Sequence, residues 1–235
     1  MPYLTHLLPH QLSEAVKNQY PVLIPSGCIE LHGSQLPLGT DLLLVENLAK
    51  EIEARTKVVV APSFSYGSTG YAASGPEQGT IDIDPGLCKD YAKAVIQNLY
   101  TMGFDKIIVI QHHQGAGGPS GTAFRMAAQE LFNEFYKTAG QGWWTNSYHK
   151  PIRPPVSVRV MDATLDTGVF PGHAGKGETE AMMAFSGIYD MSHLQENDFP
   201  WNWNPGREAS LADEGQARAQ AQRLIQAWVD FLGTI

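Results

Sequence analysis

The alternation of strand-like and helix-like segments constrains the fold of this 235-residue chain more than any other feature. Short runs of consecutive apolar residues, which are typical of buried strands, lie between longer segments whose apolar residues recur at helical spacing. The strand-like runs cover residues 22–25, 58–61, 106–110 and 156–161. The helical patterns cover residues 42–55, 85–102, 121–137, 178–185 and 211–232. This order predicts an α/β fold with a mostly parallel central sheet that helices cover on both faces.

Length and composition fit one domain that spans residues 1–235. Hydrophobic residues make up 43% of the chain, which is enough for a full core. The formal net charge of -8 argues against nucleic acid and anionic membranes as partners. No apolar run is long enough to predict a membrane span. The only two cysteines, Cys28 and Cys88, make no disulfide framework, so we expect ordinary buried thiols and a cytoplasmic protein.

Polar side chains that can bind metal ions or transfer protons follow the predicted strands. Glu30 and His32 come after the first strand. His112 and His113 come directly after the third strand, and His173 lies in the segment after the fourth. Ligands of open α/β sheets bind beyond the carboxyl ends of the strands. The sequence therefore predicts a functional site at this edge of the sheet.

Three segments carry a resemblance to a known family. Residues 29–41 (IELHGSQLPLGTD) and 173–179 (HAGKGET) resemble the two signatures of the creatininase family of metal-dependent amidohydrolases. Between them, residues 107–115 (IIVIQHHQG) resemble the family's strand that ends in Asn-Gly-His, with Gln111 and His112 in place of the Asn and Gly. The resemblance implies a creatininase-like fold, a small-molecule substrate and a homo-oligomer, often a hexamer.

The resemblance also implies two divalent metal ions per chain, zinc or manganese, with iron as a further option. Asp41 matches the aspartate that bridges the two ions in the family. Glu30 and His113 would complete one site with it, and His32 would bind in the other. In creatininase the remaining carboxylate lies two residues after the histidine of the third motif, where this chain has Gly115.

Glu178 is the proposed replacement for that carboxylate, because the resemblance brings it to the same crevice. It could instead be a favourable acidic residue in the first turn of a helix. Asp41 could likewise be a helix N-cap. The adjacent His112 and His113 would face opposite sides of an extended chain, so we expect one of them to bind the cluster, and the motif register favours His113.

Two ions that share a water molecule would lower the pKa of that water toward neutrality and polarise a substrate carbonyl, so hydroxide rather than a side chain would be the nucleophile. The resemblance implies that His173 protonates the leaving group. A histidine bonded to the backbone in a glycine-rich turn is the alternative. Glu178 is assigned with His173 to the catalytic residues.

Two further segments are candidates for contact with the substrate. Gly117 and Gly118 could present backbone N–H groups to an oxyanion, although a simple turn explains them equally well. Trp143 and Trp144 could stack on a flat cyclic substrate, and burial or a subunit contact is the alternative. The long loops at residues 63–79 and 140–155 are predicted to be walls of the pocket.

The sequence thus predicts a hydrolase of the creatininase family that opens or cleaves a C–N bond in a small cyclic substrate. Two alternatives remain open. One is hydrolysis of a C–C bond or a lactone in a cyclic diketone or ketoinositol. The other is a catalytically inactive metal-binding scaffold, for which Gly115 and Ala116 are the best evidence, since acidic and amide residues are expected at those positions.

Overall fold

A computed structural model describes residues 3–139, 157–195 and 205–235 of the chain. Its sheet consists of four strands: β1 (Val22–Ser26), β2 (Val59–Val60), β3 (Lys106–Gln111) and β4 (Ser157–Asp162). The strand order is β2-β1-β3-β4, and each neighbouring pair is parallel. The predicted α/β fold with a parallel sheet is therefore confirmed.

Seven α-helices lie in the described residues. They are α1 (Pro9–Lys17), α2 (Thr40–Glu53), α3 (Pro85–Met102), α4 (Pro119–Ala139), α5 (Lys176–Phe185), α6 (Pro205–Ala209) and α7 (Glu214–Leu232). The five predicted helices are present. The last of them begins at Glu214 rather than residue 211, because the Asp213 side chain caps it by accepting a hydrogen bond from the N–H of Gln216. Helix α1 was not predicted, since it has only nine residues, of which Ala15 alone is buried.

The core lies on both faces of the sheet, because successive residues of a strand point to opposite sides. Leu23 of β1 and Ile108 of β3 belong to a cluster with the apolar faces of α2, α5 and α7. Val22 and Ile107 belong to a second cluster with the apolar faces of α3 and α4. Trp228 of α7 is fully buried in the first cluster, and its indole N–H donates to the carbonyl of Ala163.

The strand register brings the loops of the site to one edge of the sheet. Ser26 at the end of β1 pairs with Gln111 at the end of β3, and Gln111 pairs with Asp162 at the end of β4. The chain segments that follow these strands consequently begin side by side. This alignment is the structural basis for the convergence of polar residues that the sequence predicts.

Gly27, directly after β1, lets the start of helix α2 approach the loop closely. A Cβ atom at this position would lie 2.6 Å from the backbone nitrogen of Leu42 and 2.8 Å from the carbonyl carbon of Asp41. Both contacts involve backbone, which cannot move without shifting the helix. The absence of a side chain at Gly27 thus sets the position of the first turn of α2.

In the described ranges, no helix combines the length and the apolar character needed to cross a bilayer. Cys28 and Cys88 are both free thiols, which confirms the prediction that they form no disulfide. Cys28 is buried and Cys88 is partly buried.

Gly27→Ala is expected to lower the free energy of unfolding by about 1–3 kcal/mol, because the added methyl group overpacks the backbone of α2. Urea denaturation monitored by circular dichroism measures the change. Gly233→Ala is the control, since a Cβ there makes only ordinary contacts, the nearest at 3.4 Å, and a change within about 0.5 kcal/mol is expected. Equal effects of the two substitutions would contradict the close approach at Gly27.

Candidate metal centre

Loops and helix starts bring seven ionisable side chains together at the carboxyl edge of the sheet. Glu30 and His32 come from the loop after β1, and Asp41 comes from the first turn of α2. His112 and His113 come from the turn after β3, His173 from the loop before α5, and Glu178 from the first turn of α5. Except for His173, all of them are buried, and no carboxylate among them is more than 3% exposed. Charged groups buried to this extent require compensating partners.

The Asp41 carboxylate lies at the centre of the cluster, and its two oxygens face different partners. Its Oδ2 accepts a hydrogen bond from the Cys28 thiol at 3.0 Å and lies 3.2 Å from Nδ1 of His113. Its Oδ1 lies 3.4 Å from Nε2 of His32 and 3.6 Å from Nε2 of His112. A carboxylate in this arrangement can bridge two cations.

The alternative role of Asp41 as a helix cap is not what the structure shows. The N-cap of α2 is Gly39, and no side chain caps the helix. Asp41 is instead the second residue of the helix, and its side chain points to the cluster. Its negative charge near the helix N-terminus is nevertheless favourable for the helix dipole.

Among the described residues there are three sets of close ligand atoms; Asp41 belongs to two of them, and the third consists of Glu30, His32 and His173. In the first, atoms of Cys28, Glu30, Asp41 and His113 all lie within 4.8 Å of one another. In the second, the same holds for His32, Asp41 and Glu178. The five residues predicted to bind metal ions therefore lie close together. Their division between two ions stays a prediction.

The prediction that His112 and His113 face opposite sides is wrong. Strand β3 ends at Gln111, and the backbone of His113 has φ 61°, so the chain is not extended at this point. Nε2 of His112 lies 3.1 Å from Oε1 of Glu178, and Nδ1 of His113 lies 2.9 Å from Oε1 of Glu30. The Gln111 amide donates to the carbonyls of both histidines and so holds the turn. Both imidazoles consequently face the carboxylates.

A side chain at Gly115, where the resemblance places the remaining carboxylate, would require the Asp162 side chain to move. The φ of Gly115 is +62°, and a Cβ there would collide with Oδ2 of Asp162. Glu178 reaches the cluster instead. Its Oε2 accepts a hydrogen bond from the N–H of Ala174 at 2.6 Å and lies 3.6 Å from Nε2 of His32.

Buried ligand atoms of the cluster that lack a hydrogen-bond partner support a bound cation. Among the described residues these atoms include Oε2 of Glu30 and Nε2 of His32. Nδ1 of His32 lies 3.0 Å from the carbonyl oxygen of Glu30. Because a carbonyl oxygen only accepts hydrogen bonds, we assign a proton to Nδ1. The lone pair of Nε2 is then free to bind a cation, the usual arrangement of a metal-binding histidine.

The electrostatics of the cluster also favour positive charge. Burial by itself lowers the pKa of His32, but the Glu178 and Asp41 carboxylates raise it to about 10. Burial likewise lowers the pKa of His113, and hydrogen bonds to Asp41 and Glu30 raise it to about 10. Burial would raise the pKa of Asp41, yet His32 and His113 hold it well below its usual range. Bound metal ions would replace the protons that these histidines otherwise carry.

Cys28 is buried as predicted, and its thiol contacts Asp41, which was not predicted. Burial raises the pKa of its thiol, and the neighbouring Asp41 and Glu30 carboxylates raise it further, so the sulfur keeps its proton and donates to Asp41. The only signal in the sequence is its position two residues before Glu30, which puts the two side chains on the same side of an extended chain.

A cavity of about 430 Å³ opens next to the cluster, a volume suited to a small molecule. Besides ligand candidates, its lining includes Ala72, Ala73, Gln114, Asp162, Thr164, Phe170 and His173. Ala72 and Ala73 belong to the 63–79 loop, so that predicted pocket wall is confirmed. The 140–155 loop, with Trp143 and Trp144, lies outside the described residues.

His173 lies at the boundary between the cavity and the cluster. Its Nε2 donates to the carbonyl oxygen of Leu31 at 2.9 Å, and its Nδ1 lies 3.5 Å from Oε1 of Glu30. The ring centroid is 4.3 Å from that of His32. The histidine is thus bonded to the backbone, as the alternative supposed, and one nitrogen still faces the cluster.

Gly117 and Gly118 belong to the turn before α4 and do not line the cavity. The N–H of Gly118 donates to the carbonyl of Gly115, so this group is engaged within the turn. A turn accounts for this contact, and the role in binding an oxyanion stays a prediction.

The metal-free protein is expected to lose stability as the pH rises from about 6.5 to 10. The pKa of His32 and of His113 is near 6.5 in the unfolded chain and about 10 in the folded one. Their contribution to the free energy of unfolding is therefore complete below pH 6.5 and is lost as the pH rises through 10. Urea denaturation in a chelator, at several pH values, measures this slope. His32→Gln should reduce the slope and the exposed His193→Gln should not. A free energy of unfolding that stays constant or increases over this range would contradict the prediction.

Comparison with known proteins gives the family. The model of the creatininase family, described as creatinine amidohydrolase, matches residues 6–232. Over 111 residues, which are 47% of its length, the chain is 31% identical to the 3-dehydro-scyllo-inosose hydrolase of Thermotoga maritima. Over 95 residues, 39% of the chain, it is 24% identical to the creatinine amidohydrolase of Pseudomonas putida. The matches span 35% and 36% of those relatives.

Solved structures share the fold. The chain superposes on a crystal structure of creatininase with a TM-score of 0.76 at 17% identity, covering 99% of this chain and 96% of the other. A manganese form of creatininase gives a TM-score of 0.76 at 18% identity, covering 98% and 96%. At such identity the likeness establishes the fold, and the family match over residues 6–232 establishes the membership: the chain belongs to the creatininase family.

Proposed function

We propose that this chain is a metal-dependent hydrolase that holds two divalent ions on either side of Asp41. The observation that carries the proposal is the division of the two Asp41 oxygens between two sets of ligands. Glu30 and His113 would bind the first ion on the Oδ2 side. His32 and Glu178 would bind the second ion on the Oδ1 side.

The donor atoms support zinc or manganese as the ions. Imidazole nitrogens and carboxylate oxygens are ligands of both metals, and of iron. Solved structures of creatininase include a manganese form and a mutant of Zn–Zn type. When bound, the two ions would lower the pKa of a water molecule between them and polarise a substrate carbonyl.

His173 is the proposed proton donor to the leaving group. It lines the cavity, and its Nε2–H bond to Leu31 fixes the orientation of the ring. Nδ1 then faces Glu30 and the cluster, where it could take the proton that the attacking water loses and pass it to the leaving nitrogen. The role requires only that the leaving group approach from the cavity.

The proposed substrate is a small cyclic amide whose C–N bond is hydrolysed. The volume of the cavity suits a ring of a few atoms, and no lysine or arginine of the described chain lines it. A phosphorylated substrate would need such cations, so a neutral molecule fits better. Creatinine, the substrate named for the Pseudomonas putida relative, is of this class.

Hydrolysis of a C–C bond in a cyclic diketone or ketoinositol, or of a lactone, is the second candidate. The specific observation in its favour is the higher identity to the 3-dehydro-scyllo-inosose hydrolase, at 31%, than to the creatinine amidohydrolase, at 24%. Asp162 and Thr164 also line the cavity, and their oxygens could accept hydrogen bonds from ring hydroxyl groups.

A substrate screen tests the function. Protein reloaded with zinc or manganese is incubated with cyclic amides, formamides, lactones and cyclic diketones, and mass spectrometry detects products that gain one water. Asp41→Asn should reduce the turnover of any hit to background, because the substitution removes the bridging carboxylate. Asp230→Asn, on the exposed face of α7, should leave it unchanged.

Opening of a cyclic amide would support the first candidate, and opening of a diketone ring or a lactone would support the second. A protein that binds two ions but turns over nothing in the screen would favour the inactive scaffold. Turnover that persists in Asp41→Asn or after chelation would contradict metal-dependent hydrolysis.

Glu178→Gln tests the second ion separately. Because an amide is a weak metal ligand, we expect the second ion to be lost while Glu30, Asp41 and His113 retain the first. Elemental analysis after dialysis should give one ion per chain instead of two. Glu214→Gln, an exposed glutamate in the first turn of α7, is the control. Two tightly held ions in Glu178→Gln would exclude Glu178 as a ligand.

A further inference from the structure

His112 has no role in the function proposed so far, yet its imidazole reaches the cluster. The residue is 8% exposed and lines the cavity on the side of Glu178. In the motif that this chain shares with the creatininase family, His112 stands where the family has glycine. A buried histidine that adds an imidazole to three carboxylates requires a physical explanation.

The distances around His112 resemble those between ligands of one metal ion. Its Nε2 lies 3.1 Å from Oε1 of Glu178 and 3.6 Å from Oδ1 of Asp41. Nε2 of His32 lies 3.4 Å from the same Asp41 oxygen and 3.6 Å from Oε2 of Glu178. Ligand atoms on a tetrahedral zinc ion, with bonds of about 2.0–2.2 Å, are roughly 3.4 Å apart. The separations of both histidines from Oδ1 of Asp41 agree with that geometry, and each histidine faces a different oxygen of Glu178, Oε1 for His112 and Oε2 for His32.

The backbone holds His112 in this position. Its N–H donates to the carbonyl of Ser26 at the end of β1, and its carbonyl accepts from the Gln111 side chain. The ring therefore requires little reordering to bind an ion. On the opposite side of the site, Nε2 of His32 is buried without a hydrogen-bond partner and faces the same two carboxylates.

We propose that His112 is a ligand of the second ion through Nε2 and completes a site of two imidazoles and two carboxylates with His32, Asp41 and Glu178. The inference rests on the proposed dinuclear centre and extends it. It explains how the site can dispense with a carboxylate at Gly115, where Asp162 occupies the space. Glu178 and His112 would together replace the metal ligand that is missing at Gly115.

The proposal has a consequence for the choice of metal. Imidazole favours zinc, whereas carboxylate and water ligands suit manganese. A second site with two imidazoles should therefore prefer zinc over manganese. Removal of His112 should weaken zinc more than manganese at that site, and the first site, with its single imidazole from His113, should not change.

His112 could instead act only as a hydrogen-bond donor that orients Glu178. Glutamine distinguishes the two roles, because its amide can still donate to the carboxylate but is a poor metal ligand. His112→Gln is therefore the informative variant. His193→Gln, the same substitution at an exposed histidine, is the matched control.

The experiment measures zinc and manganese binding to the intact chain by competition with a chromophoric chelator, together with elemental analysis. For His112→Gln we expect the zinc affinity of the second site to fall about 10-fold or more, with a smaller change for manganese and an unchanged first site. His193→Gln should match the unmodified chain. Two zinc ions bound by His112→Gln with unchanged affinity would overturn the proposal.

X-ray absorption at the zinc edge counts the ligands directly. The unmodified chain with two zinc ions should show three imidazoles in total, from His32, His112 and His113, and His112→Gln should show two. His112→Asn, with circular dichroism of both variants, guards against misfolding as a cause of lost zinc. If folded variants keep three imidazoles, His112 is not a ligand.

The outcomes separate this inference from the proposed function. An unmodified chain that binds no divalent ion would overturn the dinuclear centre and the inference with it. If the unmodified chain binds two ions and His112→Gln also binds two with the same affinity, only the role of His112 is overturned. The substrate screen is not needed for either result.

Discussion

The burial of the Asp41 carboxylate is the constraint on which the rest of the site depends. A carboxylate that is 1% exposed is stable only if cations or hydrogen-bond donors surround it. Here the partners are three imidazoles and the Cys28 thiol, from the end of β1 and the turn after β3. The start of α2 brings Asp41 to them because Gly27 allows the close approach of the helix. Cations bound between these groups would offset the cost of burial.

The parallel sheet supplies this polar cluster with a rigid base. Its two faces are covered by apolar side chains of the helices, so the carboxyl edge is where loops can expose ionisable groups. Burial alone destabilises a charged carboxylate. It also strengthens the attraction of that carboxylate to histidines or metal ions, because the local dielectric constant is low. The same packing that stabilises the fold therefore raises the affinity of the site for positive charge.

Much of the fold and site follows from local patterns. The alternation of apolar runs predicts the parallel sheet, and the motifs around Glu30 and His173 predict which residues meet. Helix α1 escapes such patterns because it is short, with nine residues, and buries only Ala15. His112 escapes for another reason. The rule that adjacent side chains face opposite sides holds for extended chains, and the left-handed backbone at His113 breaks it.

The sequence by itself determined the types of ligand, their order and the α/β architecture, because apolar periodicity and short motifs depend on neighbouring residues. Only the tertiary structure decided that Asp41 divides its oxygens between two sets of ligands, that Asp162 occupies the space beside Gly115, and that His112 reaches Glu178. These features depend on the register of separate strands and on backbone angles in turns. Neither is encoded in the spacing of residues along the chain.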